Sequence, residues 1–478
     1  MDILVFGTGG SSVGIEHECV LYGFNIVAYL DNNPAKWNTV RDGKPILPPT
    51  AVATLTFDRI ITATALFHEE MRQQLITLGI PDEQIFATRV DSRHWTEGCR
   101  YLIFRQHTVD PVSEKLLTER LSFEVGAKAL DDIPPPVAPS VHAALTQRLW
   151  NALLAAERDL DGVPTPYQVG ANWQNFLRNT RPEYFAARQT NDVDKLGELL
   201  ANFCRNNMST GILGGRAAFD DYAAHPDMVS GIRLNFNVWA YSIGEAPVHE
   251  LASPPIGNPF GHWIDGVIVH PNTFLNHYRG RFAQKLLANI KRPVIAEIGG
   301  GYGGFAYYAL KFVPGCCYIN FDLPENLLIS SYYLSLAYPD LRIHLYSGKE
   351  DMQALIDNYD IILMPQYALP WLPDRSVDFF INTISLSEMA YSTICEYLRQ
   401  IARACDRYFY HENLIANGTG YLYYPIDTFP KLTAFQELTR QPSRWPYFSA
   451  SSLQHCHMEQ LFVRQDRLQA DSRENDEK

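Results

Sequence analysis

The chain has 478 residues, 46% of them apolar and 19% charged, which is the composition of folded domains and excludes a disordered protein. At about 150 residues per domain, this length predicts roughly three folded units. Acidic residues outnumber Lys and Arg by 53 to 40, and the net charge of -13 argues against nucleic acid or an anionic membrane as a partner. No apolar run approaches the about 18 residues of a spanning helix, and the first residues enter a strand pattern without a basic leader. We therefore expect a cytoplasmic protein.

The first 92 residues predict a small doubly wound α/β domain. An apolar strand over residues 2–6 enters a glycine-rich turn, and a second strand over residues 25–30 ends in an acidic residue. The turn matches G-x-G-x-x-G/A except for Ser in the third position, and no acidic residue precedes it, so it could accept a phosphate. The candidate nucleotide-site residues are Gly7, Gly9, Gly10, Ser11 and Asp31.

The middle of the chain is expected to be mainly helical and rich in loops. Prolines clustered at 134–139 indicate a linker within residues 93–164, because clustered prolines do not fit a helix or a central strand. Residues 165–285 predict helices and, over residues 207–280, long ordered loops that cover a site, with the last helix beginning only at Phe282. Loops dense in His, Asn, Tyr and Trp suit polyhydroxylated ligands, although the same side chains could simply hold a loop together. The candidate substrate-binding residues here are His270, His277 and Tyr278.

A second doubly wound α/β domain is predicted over residues 286–463, followed by a charged, disordered tail over residues 464–478. Its strand over residues 294–298 enters a turn whose glycines permit positive φ and let a ligand approach the backbone. The helix after the turn offers free N–H groups to an anion, and the next strand ends at Asp322, which can accept both ribose hydroxyls. Glu297, just before the first glycine, is poorly suited to a pyrophosphate but tolerates a ligand with an ammonium and a sulfonium group. The predicted fold class is therefore α/β, with two Rossmann-like domains joined by a mainly helical, loop-rich region.

This turn and several further stretches resemble a family of bacterial sugar O-methyltransferases found in glycan and natural-product gene clusters. The stretches are Glu297–Gly304, Ile319–Glu325, Gly257–Gly261, Val269–Phe274, Ser385–Met389 and Tyr408–Asn413, and the likeness covers roughly residues 165–415. Residues 321–324 are also similar to the plant-type small-molecule O-methyltransferases. The resemblance implies a class I fold, S-adenosylmethionine as cofactor, and methyl transfer to a hydroxyl of a sugar or sugar-containing metabolite.

The resemblance extends the candidate site along the sheet. Gln366 follows the strand over residues 360–364 and is placed on the adenine side, although residues 342–346 compete for the position of the third strand. A merely structural glycine turn is the alternative. The predicted cofactor-binding residues are Glu297, Gly299, Gly300, Gly301, Tyr302, Gly303, Asp322, Leu323 and Gln366.

Methyl transfer to a hydroxyl needs a group that removes the acceptor proton, and two residues near strand ends are candidates. Glu388 lies where the plant-type enzymes carry their catalytic histidine, and His411 lies in the next strand. A pair of Glu388 with His411 across neighbouring strand ends is expected, and Glu412 is a candidate substrate-binding residue. The alternatives are that Glu388 caps the helix from Ala390 and that His411 is a core histidine.

The N-terminal stretches at 31–37 and 43–46 resemble the nucleotide-sugar-binding domain of bacterial sugar acyltransferases. That resemblance implies that residues 1–92 hold the nucleotide of an activated sugar or dock a carrier, with a scaffold that binds nothing as the alternative.

Neither a metal site nor a disulfide framework is expected. The eight cysteines form no Cys-x-x-Cys pair, and Asp374, Asp378 and Glu388 form no tight acidic cluster in the sequence. The expected partner is a small-molecule acceptor, which is a sugar, a nucleotide sugar or a glycosylated metabolite, and a homo-oligomer stays open. Two alternative functions remain: an NAD-dependent nucleotide-sugar oxidoreductase or epimerase, which lacks a Tyr-x-x-x-Lys pair after the first domain, and a non-catalytic sugar-nucleotide binding protein.

Overall fold

The structure is a computed structural model of the chain. It describes residues 2–9, 12, 15–16, 19, 24–63, 67–87, 124–225, 229–244, 247–414, 424–445 and 457–468. Gly10 and Ser11 of the predicted nucleotide site lie outside the described residues. Among those that are described, no helix is long and apolar enough to cross a membrane.

The N-terminal region forms a mostly parallel, six-stranded sheet. In sheet order the strands are β3-β4-β2-β1-β5-β6, and β3 alone pairs antiparallel. Apolar side chains of the central strands pack on both faces of this sheet, which is the pattern of a doubly wound domain. The elements are β1 Asp2–Phe6, β2 Asn25–Leu30, β3 Val40–Arg41, β4 Lys44–Leu47, β5 Arg59–Thr62, α1 His68–Thr77 and β6 Ile85–Ala87.

The middle region is a helical layer with one small antiparallel sheet, and the prediction of long loops over residues 207–280 was wrong. Many of the residues that suggested loops instead lie within or cap helices, since Pro271 takes a first-turn position and His270 caps that helix, whereas residues 252–260 do lie outside helices and strands. The elements are β7 Lys128–Ala129, α2 Pro139–Arg158, α3 Ala171–Thr180, α4 Pro182–Thr190, α5 Val193–Ala201, α6 Gly215–Ala224, α7 Val229–Ile243, β8 Gly261–Ile264, β9 Val267–Val269 and α8 Pro271–Leu287.

The C-terminal region is an eight-stranded sheet in the order β12-β13-β11-β10-β14-β15-β17-β16. The first six strands in this order are parallel, and β17 and β16 close the sheet antiparallel. The elements are β10 Val294–Ile298, α9 Gly304–Phe312, β11 Cys317–Asp322, α10 Pro324–Ala337, β12 Ile343–Leu345, α11 Met352–Asn358, β13 Ile361–Pro365, β14 Val377–Thr383, α12 Tyr391–Ala404, β15 Cys405–Leu414, β16 Phe435–Pro442 and β17 His457–Arg464.

Two details of this sheet settle questions that the sequence left open. β13, not β12, pairs with β11, so Gln366 follows the strand next to Asp322. The described residues after 463 belong to the folded domain and not to a disordered tail. Arg464 donates to the carbonyls of Ala402 and Cys405, and Arg467 pairs with Asp406.

The order of the strands fixes where a ligand can bind. The strand order reverses at β10, because β11 lies on one side of it and β14 on the other. Ligands of doubly wound sheets bind at such a point, beyond the carboxyl ends of the strands. The glycine turn after β10 lies there. Both faces of the sheet are apolar, so the polar residues at this edge stand out from the core.

The packing of α8 on α9 gives a test of this fold. A Cβ on Gly280 would lie 2.6 Å from the Cβ of Tyr308 and 2.9 Å from its carbonyl carbon. We expect Gly280→Ala to lower the free energy of unfolding by about 1–3 kcal/mol through overpacking, measured by urea denaturation of this region. Gly170→Ala is the matched control, because a Cβ at that position would meet nothing within 4 Å. Equal stabilities of the two variants would contradict the close helix contact.

Candidate functional site

The glycine turn between β10 and α9 is bonded to the strands on both sides of it. Gly300 N–H donates to Asn320 Oδ1 (3.1 Å), and Gly301 N–H donates to Asp322 Oδ2 (2.9 Å). On the other side, Asn382 Nδ2 donates to the carbonyl of Ile298 (2.9 Å). Three polar residues of β11 and β14 therefore fix the backbone of the turn at the carboxyl edge of the sheet.

The turn also leaves no room for side chains. Gly299 and Gly301 have φ of 76° and 58°, in the left-handed region that favours glycine. A Cβ on Gly299 would lie 2.7 Å from Ser385 Oγ, and one on Gly301 would lie 3.1 Å from Ile212 Cγ2. The segment around Ile212, in the helical layer, thus covers the turn from the outside.

Asp322 shares its carboxylate between the turn and the helix that follows β11. Its Oδ1 accepts from Leu323 N–H (2.7 Å) and from Asn326 Nδ2 (3.0 Å), in addition to the Gly301 bond on Oδ2. Burial raises the pKa of Asp322, while these hydrogen bonds act to lower it. With two acceptor positions per oxygen, one position of this carboxylate is left for a ligand.

Glu297 lies inside β10 and is only 3% exposed. Tyr318 of the neighbouring strand donates its hydroxyl to Glu297 Oε2. Burial raises the pKa of Glu297 to about 7, against the opposing effects of the Tyr318 bond and the charge of Arg279. The carboxyl can therefore gain or lose its proton near neutral pH.

Gln366, Leu323 and Tyr302 surround the same edge of the sheet. Gln366 is buried, and its Nε2 donates to the carbonyl of Tyr167 (2.9 Å). Its Oε1 has no partner among the described residues, which leaves a buried acceptor free for a ligand. Tyr302 Oη accepts from Asn276 Nδ2 (3.0 Å) and so faces α8.

Glu388 lies in the loop after β14, which a network of amides and hydroxyls holds in place. Asn413 Nδ2 donates to Asn382 Oδ1 (2.9 Å), and Ser387 N–H donates to Asn413 Oδ1 (3.1 Å). Glu388 ends a short 3-10 turn, is solvent-exposed, and does not cap α12. Protein atoms around its carboxyl nevertheless raise its pKa to about 7. The side chain is therefore open to a ligand, while its crowded surroundings disfavour the charged form.

His411 lies in the middle of β15, away from solvent. Its ring is 3% exposed and packs against Phe409, Phe429 and Phe462, and Asn413 Nδ2 lies 3.4 Å from its Nδ1. Burial lowers the pKa of His411 to about 3. No hydrogen bond joins His411 to Glu388 among the described residues, so the expected pair is not formed here.

Glu412 faces the opposite side of β15, as alternation along a strand predicts. It is fully buried, forms a 2.5 Å ion pair with Arg279 Nη2 of α8, and accepts from Ser443. Tyr278, also on α8, lies beneath the guanidinium of Arg444, 3.8 Å from the ring centroid. These contacts join α8 to β15 and to the segment after β16.

His270 and His277 lie in the helical layer rather than in a loop. His270 caps α8 by accepting from Asn272 N–H (3.2 Å). His277 is fully buried, accepts from Trp239 Nε1 (2.9 Å), and lies 3.2 Å from Glu250. Burial lowers the pKa of His270 to about 4 and that of His277 to about 3.

The N-terminal turn is held differently from the second one. Asp31 accepts from Thr8 N–H (3.1 Å), Asn33 N–H (2.8 Å) and Lys36 Nζ (2.9 Å). Arg41 donates to the carbonyl of Thr8 (2.8 Å). The carboxylate of Asp31 is therefore bonded to protein groups, and the two cations at this turn pair with Asp31 and Glu16.

The three acidic residues considered for a metal do not come together. Asp374 pairs with Arg403, and Asp378 accepts from Val294 N–H at the amino end of β14, the opposite end from Glu388. Within the described ranges, no three His, Cys, Asp or Glu side chains are placed to hold a metal ion.

Sequence reasoning missed several residues of this site. Asn320 and Asn382 are polar residues near the carboxyl ends of otherwise apolar strands, and this interruption was a usable signal. Ile212 gave no signal, because only the folded helical layer brings it to the turn.

Comparisons with known proteins give one family match and several similar solved structures. Residues 1–86 match a family model described as C2185-like, N-terminal. No relative of curated function matches the sequence significantly. Similar solved structures include a protein assigned as a sarcosine dimethylglycine methyltransferase from Galdieria sulphuraria (12% identity, 40% of this chain, 84% of that chain, TM-score 0.29). Magnesium protoporphyrin IX methyltransferase from Synechocystis PCC 6803, solved with bound S-adenosylmethionine, is similar at 13% identity (40% and 81%, TM-score 0.26). The YcgJ protein from Bacillus subtilis is similar at 10% identity (39% and 98%, TM-score 0.27). Identities and scores this low say nothing about activity, so the function has to rest on the site.

The raised pKa of Glu297 predicts that this residue lowers the free energy of unfolding of the ligand-free protein in a pH-dependent way. The folded state holds this proton more tightly than the unfolded state, so the contribution of Glu297 to stability falls as pH rises from about 4.5 to about 7. The shift corresponds to about 3 kcal/mol. We expect Glu297→Gln to gain stability over the wild type by up to about this amount between pH 4.5 and pH 7, in urea denaturation.

The exposed Glu198→Gln is the control for this experiment, since its side chain is 68% exposed and forms only a surface pair with Lys195. Its stability should follow the wild type at every pH. Parallel profiles for Glu297→Gln and the wild type would show that the buried carboxyl does not titrate in this window.

Proposed function

We propose that the C-terminal domain is an S-adenosylmethionine-dependent O-methyltransferase that acts on a hydroxyl of a sugar or sugar-containing metabolite. The observation that carries the proposal is the glycine turn at the carboxyl edge of a parallel sheet, bonded through Gly301 to Asp322 of the neighbouring strand. This arrangement presents backbone N–H groups and an acidic residue to one ligand.

The residues present fit this cofactor in three places. Asp322 keeps one acceptor position for a ribose hydroxyl, and Gln366 Oε1 is a buried acceptor next to it along the sheet, suited to the amino group of adenine. Glu297, when ionised, suits the ammonium group better than a pyrophosphate. When bound, the cofactor supplies a methyl group on a sulfonium.

Glu388 is our choice for the group that removes the acceptor proton. It is exposed at the carboxyl edge, on a loop that Asn382 and Asn413 hold in place. Its pKa near 7 lets it take a proton from the acceptor hydroxyl as the oxygen gains the methyl group. His411 is less suited, because three phenylalanine rings surround it.

The acceptor is proposed to lie beyond β14 and β15, where Glu388 is exposed. A sugar acceptor rests on the sequence resemblance together with the polar groups at this edge. For the N-terminal domain, a nucleotide-sugar ligand rests on the sequence resemblance, since Lys36 and Arg41 at the turn already pair with Asp31 and Glu16.

Calorimetric titration with S-adenosylhomocysteine tests the cofactor. We expect micromolar binding to the wild type and binding weakened at least about tenfold in Asp322→Asn, which keeps the shape of the side chain but removes its charge. Alanine is unsuitable, because it would remove the acceptor of both the Gly301 and the Leu323 N–H groups, whereas asparagine keeps an acceptor for one of them.

Asp374→Asn is the matched control, since this aspartate is exposed and pairs with Arg403 away from the turn. It should bind as the wild type does. No binding to the wild type, with thermal stabilisation by NAD instead, would contradict the methyltransferase proposal and favour an oxidoreductase.

The pH dependence of the rate tests the role of Glu388. With the acceptor found in a screen of sugars and nucleotide sugars, kcat/KM should rise with pH and level off above about 7, because the base must be deprotonated. Glu388→Gln should lower kcat by a factor of about 10²–10⁴ and remove this inflection. Asp340→Asn, at an exposed position of the same domain, is the control. An unchanged profile in Glu388→Gln would exclude Glu388 as the base.

A further inference from the structure

Arg181 is a buried arginine with most of its donors unused. It lies between α3 and α4, directly before Pro182, and is 1% exposed. Its Nη2 donates to the carbonyl of Thr210 (2.7 Å). Its Nε and Nη1 are buried and have no hydrogen-bond partner among the described residues. Buried donors of a charged group are costly to leave unpaired, so their partner is expected to come from outside the described residues, and a bound ligand can supply it.

The position of Arg181 relates it to the candidate cofactor site. The carbonyl that it holds belongs to Thr210, two residues before Ile212, whose side chain covers Gly301. The charge of Arg181 also acts on the carboxyls of Asp322 and Glu325, at the end of β11 and the start of α10. Arg181 thus holds the segment that covers the glycine turn, and its charge acts on the carboxylate of Asp322.

Asp322 alone cannot accept two ribose hydroxyls. Gly301, Leu323 and Asn326 already donate to three of its four acceptor positions. A ribose presents two adjacent hydroxyls, and each can both donate and accept a hydrogen bond. The second hydroxyl thus needs another partner, and the unpaired nitrogens of Arg181 can donate to its oxygen.

We propose that Arg181 is a second ribose-binding residue, which donates to the hydroxyl oxygen of an adenosine-containing ligand beside Asp322. This inference rests on the proposed function, since it needs such a ligand in the cleft. Two other roles for Arg181 compete with it. The guanidinium could only balance the charges of Asp322 and Glu325, or it could hold the carboxylate at the other end of the ligand.

Ligands that lack one hydroxyl separate these roles. We would titrate the wild type, Arg181→Gln and Arg181→Lys with S-adenosylhomocysteine, its 2′-deoxy and 3′-deoxy analogues, and 5′-methylthioadenosine, which has no carboxylate. In the wild type, removing the hydroxyl that Arg181 contacts should weaken binding about 10- to 100-fold. In Arg181→Gln the same removal should change affinity less than about threefold.

The lysine variant keeps the charge but not the fork of donors, and it serves if the glutamine variant does not fold. Arg181→Lys should also lose less affinity than the wild type when that one hydroxyl is removed from the ligand. Arg178→Gln is the matched control, because Arg178 is exposed and three residues away. It should lose as much affinity as the wild type for the 2′-deoxy and the 3′-deoxy ligand.

Each result leads to a different conclusion. Penalties for both hydroxyls that stay at wild-type size in the Arg181 variants would overturn the proposal and leave Arg181 with a charge-balancing role. Loss of S-adenosylhomocysteine binding with methylthioadenosine binding unchanged would overturn it in favour of a carboxylate contact. A wild type that binds none of these ligands would instead overturn the proposed function, and this inference with it.

Discussion

The site depends on one constraint, which is that the backbone of the glycine turn is bonded to its neighbouring strands by side chains. Asn320 and Asp322 accept from the turn on one side, and Asn382 donates to it on the other. These bonds require β10 to lie between β11 and β14 with a defined register, so the sheet order and the shape of the turn determine one another. The same bonds use part of Asp322, which limits what this residue can offer to a ligand.

The sequence predicted this part of the structure well, because its signals are local. An apolar strand, a run of glycines and an acid at the end of the next strand follow one another within about thirty residues, and each has a physical reason to be there. The helical layer was predicted poorly for the opposite reason. His277 and Tyr278 looked like loop residues by composition, but contacts with Trp239 and Arg444, distant in sequence, place them inside a helix.

The two candidate bases show how burial decides between residue types. By its free pKa, histidine is the better base near neutral pH, and the sequence could not rank His411 below Glu388. In the fold, the aromatic environment of His411 stabilises its neutral form so strongly that its pKa falls to about 3. Crowding moves the pKa of Glu388 in the other direction, to about 7. The carboxylate thus reaches the useful range, and the imidazole leaves it.

The two glycine turns of the chain differ in their electrostatics, and this argues against one ligand class for both. At the first turn, Lys36 pairs with Asp31 and Arg41 pairs with Glu16, so the cations and the acids there balance one another. At the second, Glu297 and Asp322 are buried acids with raised pKa values, so the turn gains from a ligand that brings positive charge and hydroxyl donors. The second turn is thus suited to a cationic nucleoside such as the proposed methyl donor, whereas the paired charges at the first turn do not select a ligand class.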